Sequence, residues 1–135
     1  MMQDAGHALV ERVILPDDFN DLSEQIIAWC DTGKADVVVT TGGTGLSIRD
    51  VMPEVTRSLI DFEVPGMAEA MRSESLNLTK MSMISRSVVG VRGSTLIINL
   101  PGSTAGVRDN LVVVLPVIPH AAEVLQGRQS GRHPT

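Results

Sequence analysis

Aromatic residues are almost absent from this sequence: Trp29, Phe19 and Phe62 make up 2% of the 135 residues, and tyrosine does not occur. A surface that stacks the bases of single-stranded nucleic acid needs several aromatic rings. Basic residues are also few, since 11 Lys and Arg stand against 16 Asp and Glu and leave a net charge of −5. A phosphate backbone attracts clustered Lys and Arg, so no nucleic-acid partner is expected.

Cysteine occurs once, as Cys30, which excludes a disulfide framework and a paired-cysteine metal site. We interpret this residue as a small buried hydrophobic side chain. No apolar run reaches the roughly 18 residues of a membrane span. The first residues also lack the basic region and apolar stretch of a signal peptide. We therefore expect no membrane partner and a cytoplasmic protein.

What the sequence does contain is a regular alternation of short apolar runs and helical periods, with 43% hydrophobic residues in a length that suits one domain. Residues 8–15, ALVERVIL, predict a strand. The apolar stripe within 22–30 predicts a helix that begins with a capping box at Asp21 and ends at Gly33. Three consecutive valines in 35–41 predict a strand that is buried on both faces.

The second half of the chain continues this alternation. A helix is predicted after Pro53, and a short one after the break at 64–66. Two strands joined by a turn at Arg92–Gly93 follow, and then a last helix that two prolines bend. The pattern predicts a three-layer α/β/α sandwich with a mostly parallel sheet. We expect a single domain over residues 1–127 and a loose polar tail over 128–135.

The most informative stretch is VVVTTGGTGLSIRD, residues 37–50, in which a buried strand ends in a glycine-rich loop. Such a loop exposes backbone N–H groups that can bind phosphate oxygens. The spacing fits neither a Walker A sequence nor G-x-G-x-x-G, and an ordinary tight turn remains the alternative. The candidate phosphate-binding residues are Thr41, Gly42, Gly43, Thr44 and Gly45.

Two acidic residues follow strand ends near this loop. A carboxylate repels phosphate unless a cation lies between them, and Mg²⁺ is usually bound by one or two carboxylates together with substrate phosphates. Asp50 and Asp17 are therefore candidate Mg²⁺ ligands and catalytic residues. As alternatives, Asp50 caps the helix near Pro53, and Asp17 is an ordinary turn residue.

Two further segments offer polar groups. Ser85 in MISRS can donate to a phosphate, with Arg86 adding positive charge; the alternative is a loop serine without a role. The turn Pro101, Gly102 and Ser103 in NLPGS is a second strand end that opens a helix and presents N–H and hydroxyl groups. Its alternative interpretation is an ordinary helix N-cap by Ser103.

Several blocks in order, TTGGTG…RD, PE, PGM, MISR, GVRGSTLIINLPGS and LPVIPHA, resemble the Mog family over roughly residues 8 to 127. This is the family of MoaB- and Mog-like molybdopterin adenylyltransferases, which also form the G domains of plant and animal molybdenum-cofactor proteins such as gephyrin. The resemblance implies a three-layer α/β fold. It also implies the transfer of AMP from ATP to the phosphate of molybdopterin, with Mg²⁺ and with release of pyrophosphate.

Position by position, the resemblance makes Thr41 through Gly45 the phosphate and nucleotide loop. It makes Asp50 the essential aspartate and Asp17 the aspartate of the strand-Pro-Asp block. It makes Ser85 the serine of the LSR block, and the turn 101–103 the second ligand loop. It further implies a homotrimer and a molybdate-inserting partner protein. The apolar last helix by itself indicates only some contact with another chain.

The sequence departs from the family pattern at its start. Family members begin with a further strand that ends in a Val-Ser-Asp-like sequence, whereas MMQDAGH resembles only the tail of the helix that follows that strand. We therefore expect the N-terminal strand of the sheet to be missing. The alternative function is that of a non-catalytic molybdopterin-binding or scaffold relative, or of an inactive truncated fragment.

Overall fold

A computed structural model describes residues 1–129. The described chain contains four strands, five α-helices and two short 3₁₀ helices. The strands are β1 (Val37–Thr41), β2 (Phe62–Glu63), β3 (Val89–Arg92) and β4 (Thr95–Leu100). The α-helices are α1 (Phe19–Asp31), α2 (Met52–Leu59), α3 (Pro65–Leu76), α4 (Thr104–Val114) and α5 (Ile118–Gln129), and the 3₁₀ helices are Lys80–Ile84 and Leu115–Val117.

The strands of the described chain form one sheet in the order β1-β4-β3-β2. β1 runs parallel to β4, with Val39 opposite Ile98, while β3 is antiparallel to both β4 and β2. The predicted pair of strands around Gly93 is confirmed. A short turn can join only antiparallel neighbours, so the sheet is mixed rather than mostly parallel.

Helices cover both faces of the sheet and create two apolar cores, which confirms the three-layer α/β architecture. On one face, α3, α4 and α5 bury residues such as Met71, Val114 and Ile118 against β3 and β4. On the other face, α1 and α2 bury Ile26 and Val55 together with apolar side chains of β1 and β4. Because β1 and β4 are parallel neighbours in this sheet, their carboxyl ends lie side by side at one edge.

The strand predicted over residues 8–15 does not form. The Glu11 carboxylate accepts hydrogen bonds from Trp29 Nε1 at 2.6 Å and Lys34 Nζ at 2.8 Å. A cavity of about 740 Å³ is lined by this segment on one side and by β1 on the other. A strand needs a hydrogen-bonded neighbour. Residues 8–15 have none in the sheet, although their β-branched composition favours a strand.

Helix α1 starts earlier than the sequence predicts. Asp18 has an extended backbone, and its Oδ1 accepts a hydrogen bond from the N–H of Asp21 at 2.9 Å, so Asp18 is the N-cap. The predicted capping box at Asp21 is therefore wrong by one helical turn. The predicted end is confirmed: the helix stops at Asp31, and Gly33 follows with φ +68°.

The chain from Thr104 to Gly127 is nearly continuous helix and has an 18-residue window of mean hydropathy 1.3. By length and composition alone this helix is long and apolar enough to cross a membrane, although no uninterrupted apolar run of 18 residues predicts one. Part of this hydropathy comes from side chains that pack in the core beside the sheet, namely Leu111, Val114, Ile118 and Leu125. The predicted bend is confirmed as a 3₁₀ turn at Leu115–Val117. The predicted tail overlaps the end of α5, and from residue 130 it lies outside the described chain.

Candidate active site

The glycine loop leaves β1 through two residues with left-handed backbones, Gly42 at φ +89° and Gly43 at φ +70°. Side chains rarely adopt this conformation, so the turn depends on glycine. The Gly42 N–H donates to the Leu100 carbonyl at 2.9 Å, and the Gly43 carbonyl accepts from Met52 N–H at 3.1 Å. The expectation that the Gly42 N–H binds phosphate is therefore wrong. The amides of Gly43, Thr44 and Gly45 remain candidates.

The second loop, Pro101–Ser103, meets the first one directly. Thr41 pairs with Leu100 at the ends of the parallel strands, which brings the two following loops together. The backbones of Gly42 and Gly102 are in contact, since a β-carbon on Gly102 would lie 3.3 Å from the Gly42 Cα. The Ser103 hydroxyl accepts from the Gly106 N–H at 2.9 Å and caps α4, as the alternative interpretation held.

Both predicted carboxylates lie against the glycine loop. Asp17 Oδ1 is 3.7 Å from the position of a β-carbon on Gly43, and Asp50 Oδ2 is 2.9 Å from that of a β-carbon on Gly45. Asp50 Oδ2 also accepts from the Ser47 N–H at 2.9 Å and closes a turn. Helix α2 has no side-chain cap, so the capping alternative for Asp50 is wrong.

This donor set suits a hard cation that shares its ligands with a phosphate. Mg²⁺ prefers carboxylate oxygens and commonly completes its coordination with substrate phosphates and water. Within residues 1–129, no three His, Cys, Asp or Glu side chains form a group that could hold a metal ion. The two carboxylates could therefore bind Mg²⁺ only together with a phosphate, which the free backbone amides beside them could hold.

Ser85 lies next to Arg86, whose backbone is hydrogen-bonded to the glycine loop. The Arg86 N–H donates to the Thr44 carbonyl at 2.8 Å and holds this segment against the glycine loop. The Ser85 hydroxyl donates to the Ser87 hydroxyl at 3.1 Å. The Arg86 guanidinium bonds to protein oxygens, including the carbonyl of Gly45 at 2.8 Å. The Arg86 guanidinium was expected to supply positive charge to a phosphate. These contacts show that it is bonded to the protein instead.

Residues 1–120, which include both loops and both carboxylates, match the family described as "Probable molybdopterin binding domain". The chain belongs to this molybdopterin-binding family. It is 39% identical over 114 residues to the molybdopterin adenylyltransferase of Helicobacter pylori strain J99, covering 84% of this chain and 65% of the relative. It is 40% identical over 121 residues to gephyrin of Dictyostelium discoideum, covering 90% of this chain and 17% of gephyrin.

Solved structures of the molybdopterin-binding family share the fold. The MoaB enzyme of Thermus thermophilus has 44% identity and a TM-score of 0.80, with 93% of this chain and 82% of that one covered. The Mog protein of Mycobacterium ulcerans has 39% identity and a TM-score of 0.85, with 92% and 80% covered. The expected MoaB/Mog-like fold is confirmed. The chain spans less than two thirds of the length of the H. pylori and D. discoideum relatives.

Sequence reasoning missed a buried polar residue under the site of this molybdopterin-binding domain. Asn99 is fully buried in β4, and its Nδ2 donates to the hydroxyls of Thr40 and Thr56, each at 3.0 Å. Its Oδ1 accepts from the Val88 N–H at 3.2 Å. These bonds join β1, α2 and the residue that precedes β3, close to the two loops. An asparagine inside the apolar run TLIINL was the signal that could have identified it.

Two ionisable groups on the helices α1 and α2, one exposed and one buried, have displaced pKa values. A hydrogen bond from Arg86 lowers the pKa of Glu54, which lies on the first turn of α2. Burial raises the pKa of the Cys30 thiol, which is 9% exposed. The expected role of Cys30 as a buried hydrophobic residue is confirmed, since it packs in the core between α1 and the sheet.

Proposed function

We propose that this chain is a molybdopterin adenylyltransferase. An oxygen of the molybdopterin phosphate attacks the α-phosphorus of ATP, the bond from that phosphorus to the β-phosphate breaks, and pyrophosphate leaves. The observation that carries the proposal is the meeting of two glycine loops at parallel strand ends with two carboxylates against one of them. Relatives named for this activity, including those of H. pylori and Escherichia coli, support it.

In this proposal the chain mainly positions its anionic substrates and neutralises their charge, as in phosphoryl transfer generally. The amides of Gly43, Thr44 and Gly45 donate to phosphate oxygens. Asp17 and Asp50 would hold Mg²⁺, which supplies charge neutralisation between the two phosphates. Ser85 orients a phosphate from the segment beside Thr44, and Gly102 and Pro101 form the opposite wall.

The assembly and partners of this proposed enzyme follow the family resemblance. Large apolar side chains are exposed on the surface, among them Leu78, Met81 and Met83 at 65–68% and Val112 at 56%. Symmetric association would cover such side chains. We propose a homotrimer in the cytoplasm that passes its product to a molybdate-inserting protein.

The test is pyrophosphate release from Mg-ATP in the presence of molybdopterin. Asp50→Asn and Asp17→Asn should each lose roughly 100-fold or more in turnover, because each removes a charge that the transition state needs. Glu69→Gln, on the exposed face of α3, serves as the matched control. Circular dichroism should show all three variants folded. Turnover in Asp50→Asn equal to that of the parent would refute the assigned role.

The second candidate is molybdopterin binding without transfer. The family description names binding only. A cavity of about 740 Å³ beside Asp17 and Gly42 also offers room for a bound ligand. Calorimetry with Mg-ATP and with molybdopterin separates the two functions when it is combined with the pyrophosphate assay. Binding of molybdopterin with no pyrophosphate release would favour this candidate over the transferase.

A further inference from the structure

Arg86 contacts the loop between β1 and α2 at several points. Its backbone N–H donates to the carbonyl of Thr44 at 2.8 Å. Its Nε donates to the carbonyl of Gly45 at 2.8 Å, and its Nη2 donates to the carbonyl of Asp50, also at 2.8 Å. Its Nη1 pairs with the Glu54 carboxylate at 2.5 Å. One residue from a distant part of the chain therefore spans the whole loop.

These contacts fix both ends of the turn that carries the Asp50 carboxylate. The guanidinium is planar, so its N–H groups point in set directions and hold the carbonyls of Gly45 and Asp50 at a set separation. Asp50 Oδ2 closes the turn by accepting from the Ser47 N–H at 2.9 Å. It also lies 2.9 Å from the position of a β-carbon on Gly45. A shift of either carbonyl would therefore move the carboxylate relative to the glycine loop.

We propose that Arg86 is a positioning residue that sets the Asp50 carboxylate in register with the amides of the glycine loop. The inference rests on the proposed transferase function, because it assigns Arg86 a part in that same site. The three side-chain contacts all go to protein oxygens, so Arg86 acts through the loop. The Glu54 side chain is 50% exposed, so the ion pair is weak, and the carbonyl contacts carry the role.

The test compares four variants of the full chain. Arg86→Met removes every guanidinium contact, and Arg86→Lys keeps the charge without the planar fork. Glu54→Gln removes only the ion pair. Arg57→Met is the matched control, because Arg57 lies in the last turn of α2 and forms an exposed ion pair with Glu63 at 3.0 Å. The readouts are kcat, KM for each substrate, the Mg²⁺ concentration at half-maximal activity, and amide hydrogen exchange at Ser47.

In Arg86→Met we expect kcat to fall roughly 10- to 100-fold, the usual consequence of misplacing a reacting group by about 1 Å. The Mg²⁺ requirement should rise, KM for molybdopterin should stay the same, and exchange at Ser47 should accelerate while Ile98 in β4 stays protected. Arg86→Lys should recover part of kcat. Glu54→Gln and Arg57→Met should stay close to the parent.

Three results would overturn the inference. One is an unchanged kcat in Arg86→Met. Another is a raised KM for ATP at constant kcat, which would mean direct contact with the ligand. The third is an equal loss in Arg57→Met, which would mean general destabilisation. If Arg86→Met does not fold, Arg86→Lys decides by the same readouts. If the parent chain releases no pyrophosphate, the transferase proposal fails, and exchange at Ser47 still decides the role of Arg86.

Discussion

Gly42 and Gly102 touch backbone to backbone, and a β-carbon on Gly102 would lie 3.3 Å from the Gly42 Cα. That distance is shorter than an ordinary van der Waals contact, so a side chain at Gly102 must push the two loops apart. We expect Gly102→Ala to lower turnover by about tenfold through this displacement. Its free energy of unfolding should change by less than about 1 kcal/mol.

Gly66 in the first turn of α3 is the matched control for Gly102, since a β-carbon there meets nothing within 4 Å. Gly66→Ala should be neutral or slightly stabilising, because alanine favours helix. The two variants are compared by pyrophosphate release and by urea unfolding. Full activity in Gly102→Ala would mean that the contact between the loops does not shape the site.

Replacement of Asn99 tests whether the buried network supports the site from below. Asn99→Leu keeps the volume but leaves the Val88 N–H and two threonine hydroxyls without their partner. Unpaired buried polar groups cost about 1–3 kcal/mol each, so the free energy of unfolding should fall by at least about 2 kcal/mol. Urea unfolding measures the loss. The exposed Asn20→Leu should stay within about 0.5 kcal/mol, and similar values for both variants would contradict the network.

The ion pair of Glu54 with Arg86 predicts a specific pH dependence. Arg86 lowers the pKa of Glu54 below its ordinary value of 4.5. A carboxyl whose pKa is lower in the folded state adds stability above its unfolded pKa and loses it as the pH falls through the folded pKa. Because Glu54 is 50% exposed, the contribution stays below about 1 kcal/mol.

Thermal unfolding of the parent and of Glu54→Gln across pH 2.5–7 checks this prediction at about half-unit steps. The difference between the two proteins should be full at neutral pH and should vanish in acid. A difference that grows as the pH falls would have the wrong sign for a lowered pKa.

Light scattering tests the proposed trimer at micromolar concentration. We expect three times the chain mass of 14.4 kDa, because a contact between chains would bury exposed apolar side chains such as Leu78 and Met83. Replacing both by Gln should shift the mass toward the monomer if they lie in the contact. The same double replacement leaves a trimer intact if the contact lies elsewhere, and a monomeric parent chain would rule the trimer out.

The sequence predicted the neighbourhood of the site better than its internal bonds. The carboxyl ends of parallel neighbours share an edge, so a glycine loop after β1 and a second loop after β4 could be placed together from pattern alone. Which amides stay free could not be predicted, because the Gly42 N–H extends the ladder to Leu100 by one residue. The acceptors of Arg86 depend on a contact across 36–41 positions of sequence, which no local pattern encodes.

The two errors at the N-terminal end have different physical causes. Residues 8–15 have the composition of a strand, but pairing is decided by a neighbour that composition does not reveal. Asp18 and Asp21 are both acceptable caps by residue type, and only the extended backbone of Asp18 decides between them. The roles of Asp17 and Asp50 in catalysis remain predictions that the proposed variants test, and the role of Ser85 also remains a prediction.

In the sheet of residues 1–129, β1 is hydrogen-bonded only to β4, and its other side faces the cavity. The five-residue ladder between β1 and β4 therefore holds Thr41 and Gly42, while Arg86 and the Met52 N–H hold the loop from Gly43 onward. When that ladder opens, Thr41 and Gly42 should move together, away from Gly102. Relaxation dispersion would then find a single exchange rate for β1 and for the first residues of the loop, so the sheet itself would set how often the two walls of the site separate at Gly42.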